Sequence, residues 1–201
     1  MIASSRLTTI RADSYDVLMV DPPWPVAGYA NVQRGSPGRV RGVGYTTLPW
    51  SDLWTLLDAD VFSRAAGHCA VFLWALDQFL IETEVELTAR GFKRSARLLW
   101  DKHDGPITYR LRRTHEYLLW YCRPRLLPAS KTSIGRFDSV IRAPQRQHSR
   151  KPSAAYTMVE ALYPDARRLD AFSREYRVGW DAWGDQRDYF SPLFACLRDA
   201  P

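Results

Sequence analysis

The sequence predicts an α/β sandwich around a mainly parallel sheet, because apolar runs of strand length alternate with segments of helical spacing. The first run, "YDVLMV" at Tyr15–Val20, has the apolar character of a strand covered on both faces. Two further runs, "HCAVFLWA" at residues 68–75 and "EYLLWYC" at residues 116–122, repeat this pattern. Strands covered on both faces require helices on both sides of the sheet, so a layered domain is expected.

Local signals set the ends of the other predicted elements. Ser51 is a candidate N-cap, Gly91 a candidate C-cap, and Pro152 fits the first turn of a helix. The predicted helices span residues 51–62, 76–91 and 151–164, and the predicted strands span residues 15–20, 68–75, 92–102, 116–122, 137–144 and 167–172.

Length and composition indicate one globular domain over residues 1–201. The chain has 201 residues, of which 46% are hydrophobic and 25% charged, and this is enough for a substantial core. No apolar run approaches the roughly 20 residues of a membrane span, and the first residues lack the apolar centre of a signal peptide. Because the three cysteines, Cys69, Cys122 and Cys196, are far apart, a reduced, cytoplasmic protein is expected.

The net charge of +6 comes largely from arginines in three short bursts, at residues 34–42, 110–115 and 146–151. Each burst also contains glycine, proline, serine or histidine, which indicates loops. Two interpretations stay open here. The bursts are either solvated surface or a site for a polyanion, whose phosphates clustered loop cations would neutralise.

Long segments without a regular pattern lie at residues 24–44, 103–113 and 144–151. Long loops in a compact domain are usually functional. In sheets of this class, ligands bind outside the carboxyl ends of the strands. Asp21 directly follows the first predicted strand, so it is expected at that edge.

The stretch "VLMVDPPWP" ends this strand in an unusual combination of groups. An Asp-Pro pair is by itself an ordinary turn. Here Asp21 adds a carboxylate, Pro22 and Pro23 leave carbonyl acceptors without backbone donors between them, and Trp24 adds a flat apolar face. Together they predict a slot that accepts hydrogen bonds from an amino group and grips an aromatic ring, as the exocyclic amine of a nucleobase would require.

The motif Asp-Pro-Pro-Trp resembles the catalytic motif of the MT-A70 family of S-adenosylmethionine-dependent adenine N(6)-methyltransferases, in particular its small bacterial and phage members. The resemblance continues in order over residues 15–186, with residues 187–201 as a C-terminal tail. It is carried by "YTTLPWSDL", "AVFLWALDQFL", "GFKRSARLLWDK", "RRTHEYLLWYCR", "RQHSRKPSAAYTMVEALYPDARRLDAFSR" and "GWDAWGDQ". It implies a Rossmann-like methyltransferase fold whose catalytic motif is N-terminal to the cofactor strand, and it accounts for the lack of G-x-G-x-x-G.

The resemblance also implies roles for individual residues. Asp21, Pro22, Pro23 and Trp24 would be catalytic, and Tyr45 would lie beside the base, with simple packing as its alternative. The implied cofactor residues are Lys151, for the methionine carboxylate, then Asp170, Arg174, Asp185 and Gln186. Two of these depart from the family, since Asp170 stands where glutamate is usual and Asp185 where asparagine is usual.

The function expected is methyl transfer from S-adenosylmethionine to the 6-amino group of adenine in nucleic acid, with DNA favoured over RNA. Five loop arginines are expected to hold the substrate backbone: Arg39, Arg41, Arg110, Arg112 and Arg113. Two alternatives are a non-catalytic nucleic-acid-binding subunit of the same fold and an enzyme acting on a free nucleoside or small amine. No membrane or metal partner is expected, since the histidines are scattered, and a homodimer or heterodimer is left open.

Overall fold

The structure is a computed structural model that describes residues 14–25, 47–108, 110–123, 129–147 and 149–190. These residues form nine strands and three α-helices. The strands are β1 (Tyr15–Val20), β2 (Ala65–Ala75), β3 (Lys93–Asp101), β4 (Ile107–Thr108), β5 (Leu111–Arg112), β6 (His115–Cys122), β7 (Val140–Arg142), β8 (Arg168–Ala171) and β9 (Asp181–Trp183). The helices are α1 (Trp50–Asp60), α2 (Leu80–Ala89) and α3 (Ser153–Leu162).

Seven strands form one sheet in the order β7-β3-β6-β2-β1-β8-β9. Strand β1 pairs in parallel with β2 and β8, β8 with β9, and β3 with β7. Strand β6 runs antiparallel to both of its neighbours, β2 and β3. The predicted mainly parallel α/β sheet is therefore confirmed.

Helices cover both faces of the sheet and create two apolar cores. On one face, Leu53 and Leu57 of α1 and Leu87 of α2 pack with Leu18 and Leu73 from the central strands. On the other face, α3 packs through Tyr156, Met158 and Val159 against side chains that include Met19, Phe72 and Trp74. The alternation of β1 and β2 side chains between two cores explains why both strands are apolar on both faces.

The ends of several elements differ from the sequence prediction. Helix α1 begins at Trp50 with Pro49 at the N-cap, so Ser51 is the second helical residue and the prediction that it caps the helix is wrong. Gly91 does mark the end of α2, because it follows the C-cap residue Arg90 at a φ of 80°, a conformation that glycine adopts without strain. The hairpin β4–β5 and strand β9 were not predicted, because their strands have only two or three residues.

One edge of the sheet gathers the ends of distant segments. The strands parallel to β1 all point their carboxyl ends to this edge, and antiparallel β6 begins there. As a result Asp21 after β1, Lys102 after β3 and Glu116 near the start of β6 lie on the same side of the molecule. In the described part of the chain, no helix has the length and apolar character to cross a membrane.

Candidate active site

Four charged side chains form a continuous ion chain at this edge: Asp21, Lys151, Glu116 and Lys102. Lys151 Nζ lies 3.0 Å from Asp21 Oδ1 and 2.9 Å from Glu116 Oε2. Lys102 Nζ donates to the second oxygen of Glu116 at 3.1 Å. The four side chains are only 8–17% exposed. Such a chain is stable only if each buried charge has a partner, so the position of Asp21 depends on residues from three other segments.

The ion chain distributes its charge unevenly between the two carboxylates. Burial opposes ionisation of Glu116, but Lys151 and Lys102 together lower its pKa to about 2. Burial raises the pKa of Asp21 above its usual value, and the neighbouring Glu116 charge raises it further, although Lys151 acts in the opposite direction. Burial also acts against the charge of Lys151, but Asp21 and Glu116 outweigh it and raise the pKa of the ammonium. Glu116 and Lys151 are therefore charged at neutral pH, and Asp21 is the carboxylate whose charge is less stabilised.

A narrow cleft opens beside Asp21 and Lys151. Its floor includes Asp170 of β8, which is 2% exposed, and Tyr156 Oη of α3 donates to Asp170 Oδ2 at 3.1 Å. Among the described residues, Asp170 Oδ1 has no hydrogen-bond partner. Burial raises the pKa of Asp170 to about 7. A buried acceptor without a partner at the floor of a cleft is suited to a ligand that supplies hydroxyl or ammonium donors.

Glu175 joins the two segments that form the walls of this cleft. Its carboxylate pairs with Arg150, from the segment before α3, and with Arg177, from the segment after β8, the latter at 2.6 Å. Arg146 lies 3.8 Å from the same carboxylate and donates through Nη2 to the Lys151 carbonyl at 2.6 Å. The segment that carries Lys151 is thus held against the segment that carries Arg174.

Aromatic side chains pack against two arginines that line the cleft, and one of these rings, Phe190, lines it as well. The Arg174 guanidinium lies 4.6 Å from the ring centroid of Tyr189 and 4.9 Å from that of Phe190. The Phe190 N–H donates to the Arg174 carbonyl at 2.8 Å. Phe190 also faces the Arg150 guanidinium at 5.3 Å. These cation–π contacts hold both arginines at the cleft.

The Trp24 ring is buried among other aromatic side chains and does not present a free face for stacking. It is 4% exposed, its ring stacks on Trp50 and Phe79 with centroids 5.8 and 5.3 Å away, and its indole N–H donates to the Trp74 carbonyl at 3.2 Å. The Trp24 backbone N–H donates to the Pro22 carbonyl at 2.8 Å, which leaves that oxygen one further lone pair. Stacking of Trp24 on a base stays a prediction.

The other predicted residues lie at different distances from the cleft. Lys151, Asp170 and Arg174 line it together with Asp21. Asp185 is exposed, and neither Asp185 nor Gln186 is among the described residues that line the cleft. Gly184, just before them, has a φ of 137° and approaches the Phe172 backbone so closely that a Cβ would lie 3.0 Å from Phe172 Cα.

The predicted substrate residues fall into two groups. Arg110 and Arg112 are exposed on the β4–β5 hairpin, where Arg112 pairs with Asp104. Arg113 Nη1 donates to Gln78 Oε1 at 3.4 Å. The remaining three, Arg39, Arg41 and Tyr45, lie outside the described residues.

Sequence reasoning did not assign roles to Glu116, Lys102, Tyr156 or Glu175. A charged residue next to the end of a buried strand is a usable signal for the first two, because Lys102 follows β3 and Glu116 lies near the start of β6. Nothing in the sequence pairs them with each other or with Lys151. Within the described segments, no group of three or more His, Cys, Asp or Glu side chains is arranged to hold a metal ion.

Comparison with known proteins identifies the family of the chain. The family model MT-A70 matches residues 15–186. A type II methyltransferase, M.MunI from Mycoplasma sp., is 26% identical over 185 residues, which cover 85% of this chain and 76% of that protein. An N(6)-adenosine-methyltransferase MT-A70-like protein from Arabidopsis thaliana is 24% identical over 181 residues, 86% of this chain and 24% of that protein.

A third relative is the N6-methyladenosine RNA methyltransferase MTA1 from Pyricularia oryzae, 27% identical over 195 residues, 89% of this chain and 48% of that protein. The chain therefore spans three quarters of the Mycoplasma protein but less than half of the other two. The sheet and the cleft beyond its carboxyl edge define a Rossmann-like methyltransferase. The chain belongs to the MT-A70 family, and it is an enzyme of the class that methylates the 6-amino group of adenine.

Proposed function

We propose that this protein transfers a methyl group from S-adenosylmethionine to the 6-amino group of adenine in DNA. The observation that carries the proposal is the Asp21 carboxylate, which lies at the carboxyl edge of the sheet, 3.0 Å from Lys151 and at the wall of the cleft. It follows β1 on a stiff Asp-Pro-Pro-Trp turn, so a ligand in the cleft would meet a fixed acceptor.

Asp21 would orient and polarise the amine of the base. The nitrogen lone pair of an aromatic amine is delocalised into the ring, which makes it a poor nucleophile. A carboxylate and the Pro22 carbonyl that each accept one N–H would favour a pyramidal nitrogen with its lone pair directed at the methyl donor. The carboxylate would also stabilise the positive charge that develops on the nitrogen. The raised pKa of Asp21 suits a group that later accepts a proton.

The cleft residues fit S-adenosylmethionine, which when bound supplies an electrophilic methyl group. The unpartnered Asp170 oxygen would accept hydrogen bonds from its hydroxyl or ammonium groups. Lys151 has three N–H donors and uses two of them on Asp21 and Glu116, so the third is left for a carboxylate. Arg174, held by two aromatic rings, would contact the ribose.

A labelled-cofactor assay tests the proposal directly. The protein is incubated with radiolabelled S-adenosylmethionine and, separately, duplex DNA, single-stranded DNA, RNA and adenosine, and the digested products are identified. N(6)-methyl-2′-deoxyadenosine is the product expected from DNA. Asp21→Asn should lower turnover by at least about a hundredfold, the scale for one preorganised electrostatic group. Asp165→Asn, an exposed acid in the turn before β8, is the matched control.

The same assay decides between the substrate classes. RNA is the second candidate, because the Pyricularia oryzae relative is named as an RNA methyltransferase. Label in adenosine alone would move the proposal to a free nucleoside. Polynucleotide binding without label in any product would indicate a non-catalytic subunit, and near-normal turnover of Asp21→Asn would remove Asp21 from the mechanism.

A further inference from the structure

We propose that the β4–β5 hairpin is an apolar wedge that enters a DNA duplex beside the target base, so that the natural substrate is double-stranded. The inference rests on the proposed function and deepens it. Ile107 and Leu111 are 68% and 74% exposed on a hairpin whose two strands contain only four residues. Exposed aliphatic side chains are ordinary when scattered singly, but here two occupy one narrow projection.

The strand register places these two side chains on opposite faces of the hairpin. Ile107 pairs with Arg112, and Thr108 pairs with Leu111. Directly opposite residues share a face and successive residues alternate, so Ile107 and Leu111 point away from each other. A surface that docks on another protein would carry its apolar groups on one face. Apolar groups on both faces suit a ribbon inserted between two separated base pairs.

Backbone hydrogen bonds and a close backbone contact hold the two sides of the hairpin together at its base. The Lys102 N–H donates to the Thr114 carbonyl at 2.7 Å, and the Arg113 N–H donates to the Pro106 carbonyl at 2.9 Å. Gly105 approaches the Arg113 carbonyl so closely that a Cβ would lie 1.8 Å from its oxygen. A projection held in this way loses little conformational entropy when it is inserted.

The charge around the wedge is complementary to a nucleic acid backbone. Residues 104–113 contain three cations, Arg110, Arg112 and Arg113, and one anion, Asp104, which gives a net charge of +2. Apolar side chains with flanking cations are the arrangement by which a protein unstacks base steps while the phosphates are neutralised.

The hairpin also starts at the ion chain. Lys102, at its base, bonds to Glu116, which bonds to Lys151, which bonds to Asp21. A base in a duplex must leave its stack to reach a pocket, and its departure leaves a gap next to the slot. Ile107 or Leu111 would fill that gap and offset part of the unstacking cost.

The test compares duplex and single-stranded substrate in the full chain. The double variant Ile107→Ser/Leu111→Ser and a rescue variant, Ile107→Met/Leu111→Met, are assayed with labelled S-adenosylmethionine on a duplex DNA and on one of its separated single strands. The matched control is Ile81→Ser/Val85→Ser, two aliphatic residues of α2 that are 72% and 62% exposed. Thermal unfolding of every variant checks that the fold is kept.

The serine variant should lose roughly tenfold or more in kcat/KM on the duplex, the scale of one unstacked step, and stay within about twofold of the parent on the single strand. The methionine variant and the α2 control should resemble the parent on both.

Equal losses on both forms, or no loss on the duplex, would overturn the wedge while the proposed function survives. A parent protein that is dimeric and becomes monomeric in the serine variant would assign the hairpin to an interface between two copies. A parent that methylates neither form refutes the DNA methyltransferase itself, and the wedge with it.

Discussion

The ion chain and the β4–β5 hairpin lie at the same edge of the sheet, but they hold their charges in opposite ways. In the ion chain, each carboxylate and ammonium is at most 17% exposed and each has a bonded partner. On the hairpin, Arg112 and its partner Asp104 are 53% and 72% exposed. Charges in the first region are costly to leave unpaired, whereas an exposed pair contributes about 0–1 kcal/mol. Substitutions in the ion chain should therefore change the free energy of unfolding, and substitutions on the hairpin should change the salt dependence of nucleic acid binding.

Removal of Lys151 should produce the largest change in stability. Lys151→Ala leaves the buried Asp21 carboxylate without the ammonium at 3.0 Å, and breaking a buried pair costs roughly 3–5 kcal/mol. Urea unfolding measures the loss. The double variant Lys151→Ala/Asp21→Asn removes the uncompensated charge and should recover part of the free energy of unfolding. A loss of less than about 1 kcal/mol in the free energy of unfolding would show that water replaces the ammonium. The ion chain would then not stabilise the fold.

The same variant should also weaken the cofactor site. A charge-assisted hydrogen bond contributes roughly 1.5–3 kcal/mol, so the affinity for S-adenosylhomocysteine should fall by about tenfold to a hundredfold. Calorimetry on the folded variant at low temperature gives the dissociation constant, and Lys131→Ala, a change of an exposed lysine, is the control. An unchanged dissociation constant would limit Lys151 to its contacts with Asp21 and Glu116.

Asp170 is a buried acid that, unlike Asp21, has no lysine paired with it among the residues that the structure describes. Its pKa is raised from 3.8 to about 7, so the native state holds this proton more tightly than the unfolded chain. Its contribution to stability is complete below about pH 4 and is lost as the pH rises through about 7. Ionised Asp170 is the stronger acceptor, so affinity for S-adenosylhomocysteine should rise roughly tenfold from pH 6 to pH 8, following the ionised fraction. The profile for Asp170→Asn should be flat. A pH-dependent profile that persists in this variant would assign the titration to another group.

The arginines of the hairpin should give the smallest effect on stability and a distinct effect on binding. Arg112→Ala/Arg113→Ala should change the free energy of unfolding by no more than about 0.5 kcal/mol. The dependence of log K for DNA on log salt should become shallower by roughly 0.7–0.9 for each phosphate that the variant no longer neutralises. Titrations at several salt concentrations measure this slope. Arg94→Ala, at the opposite end of β3, should leave it unchanged. An unaltered slope in the double variant would separate the hairpin from the substrate backbone.

The sequence predicted the sheet well because its strands carry the information locally. The run at Tyr15–Val20 is buried almost throughout, and its apolar pattern alone identifies a central strand. The sequence also placed Asp21 at the carboxyl edge of the sheet, because Asp21 directly follows the β1 run and the alternation of strands and helices predicts parallel strands. The pairing of Glu116 with Lys102 and Lys151 depends on antiparallel β6, and strand direction is not written in an apolar run.

The hairpin shows the other limit of sequence reasoning. The sequence predicts a loop over residues 103–113, because Gly105 and Pro106 are turn residues and each strand of the hairpin has only two residues. The sequence shows that Ile107 and Leu111 are apolar, but only the β4–β5 register shows that they lie on opposite faces of the hairpin. The burial of Trp24 could not be predicted from the sequence either, because its stacking partners Trp50 and Phe79 come from separate helical segments.

The packing of Trp24 gives the protein an optical signal of its own. Indole emission depends on the polarity around the ring and on the hydrogen bond of its N–H group, and here both are defined by the Trp74 carbonyl and two stacked rings. Trp24 follows Asp21 by three residues. A ligand that enters beside Asp21 and displaces any of these neighbours should change the Trp24 share of an emission that comes from eight tryptophans, so the difference between the protein and Trp24→Phe should report occupancy of the slot without a dye or an isotope.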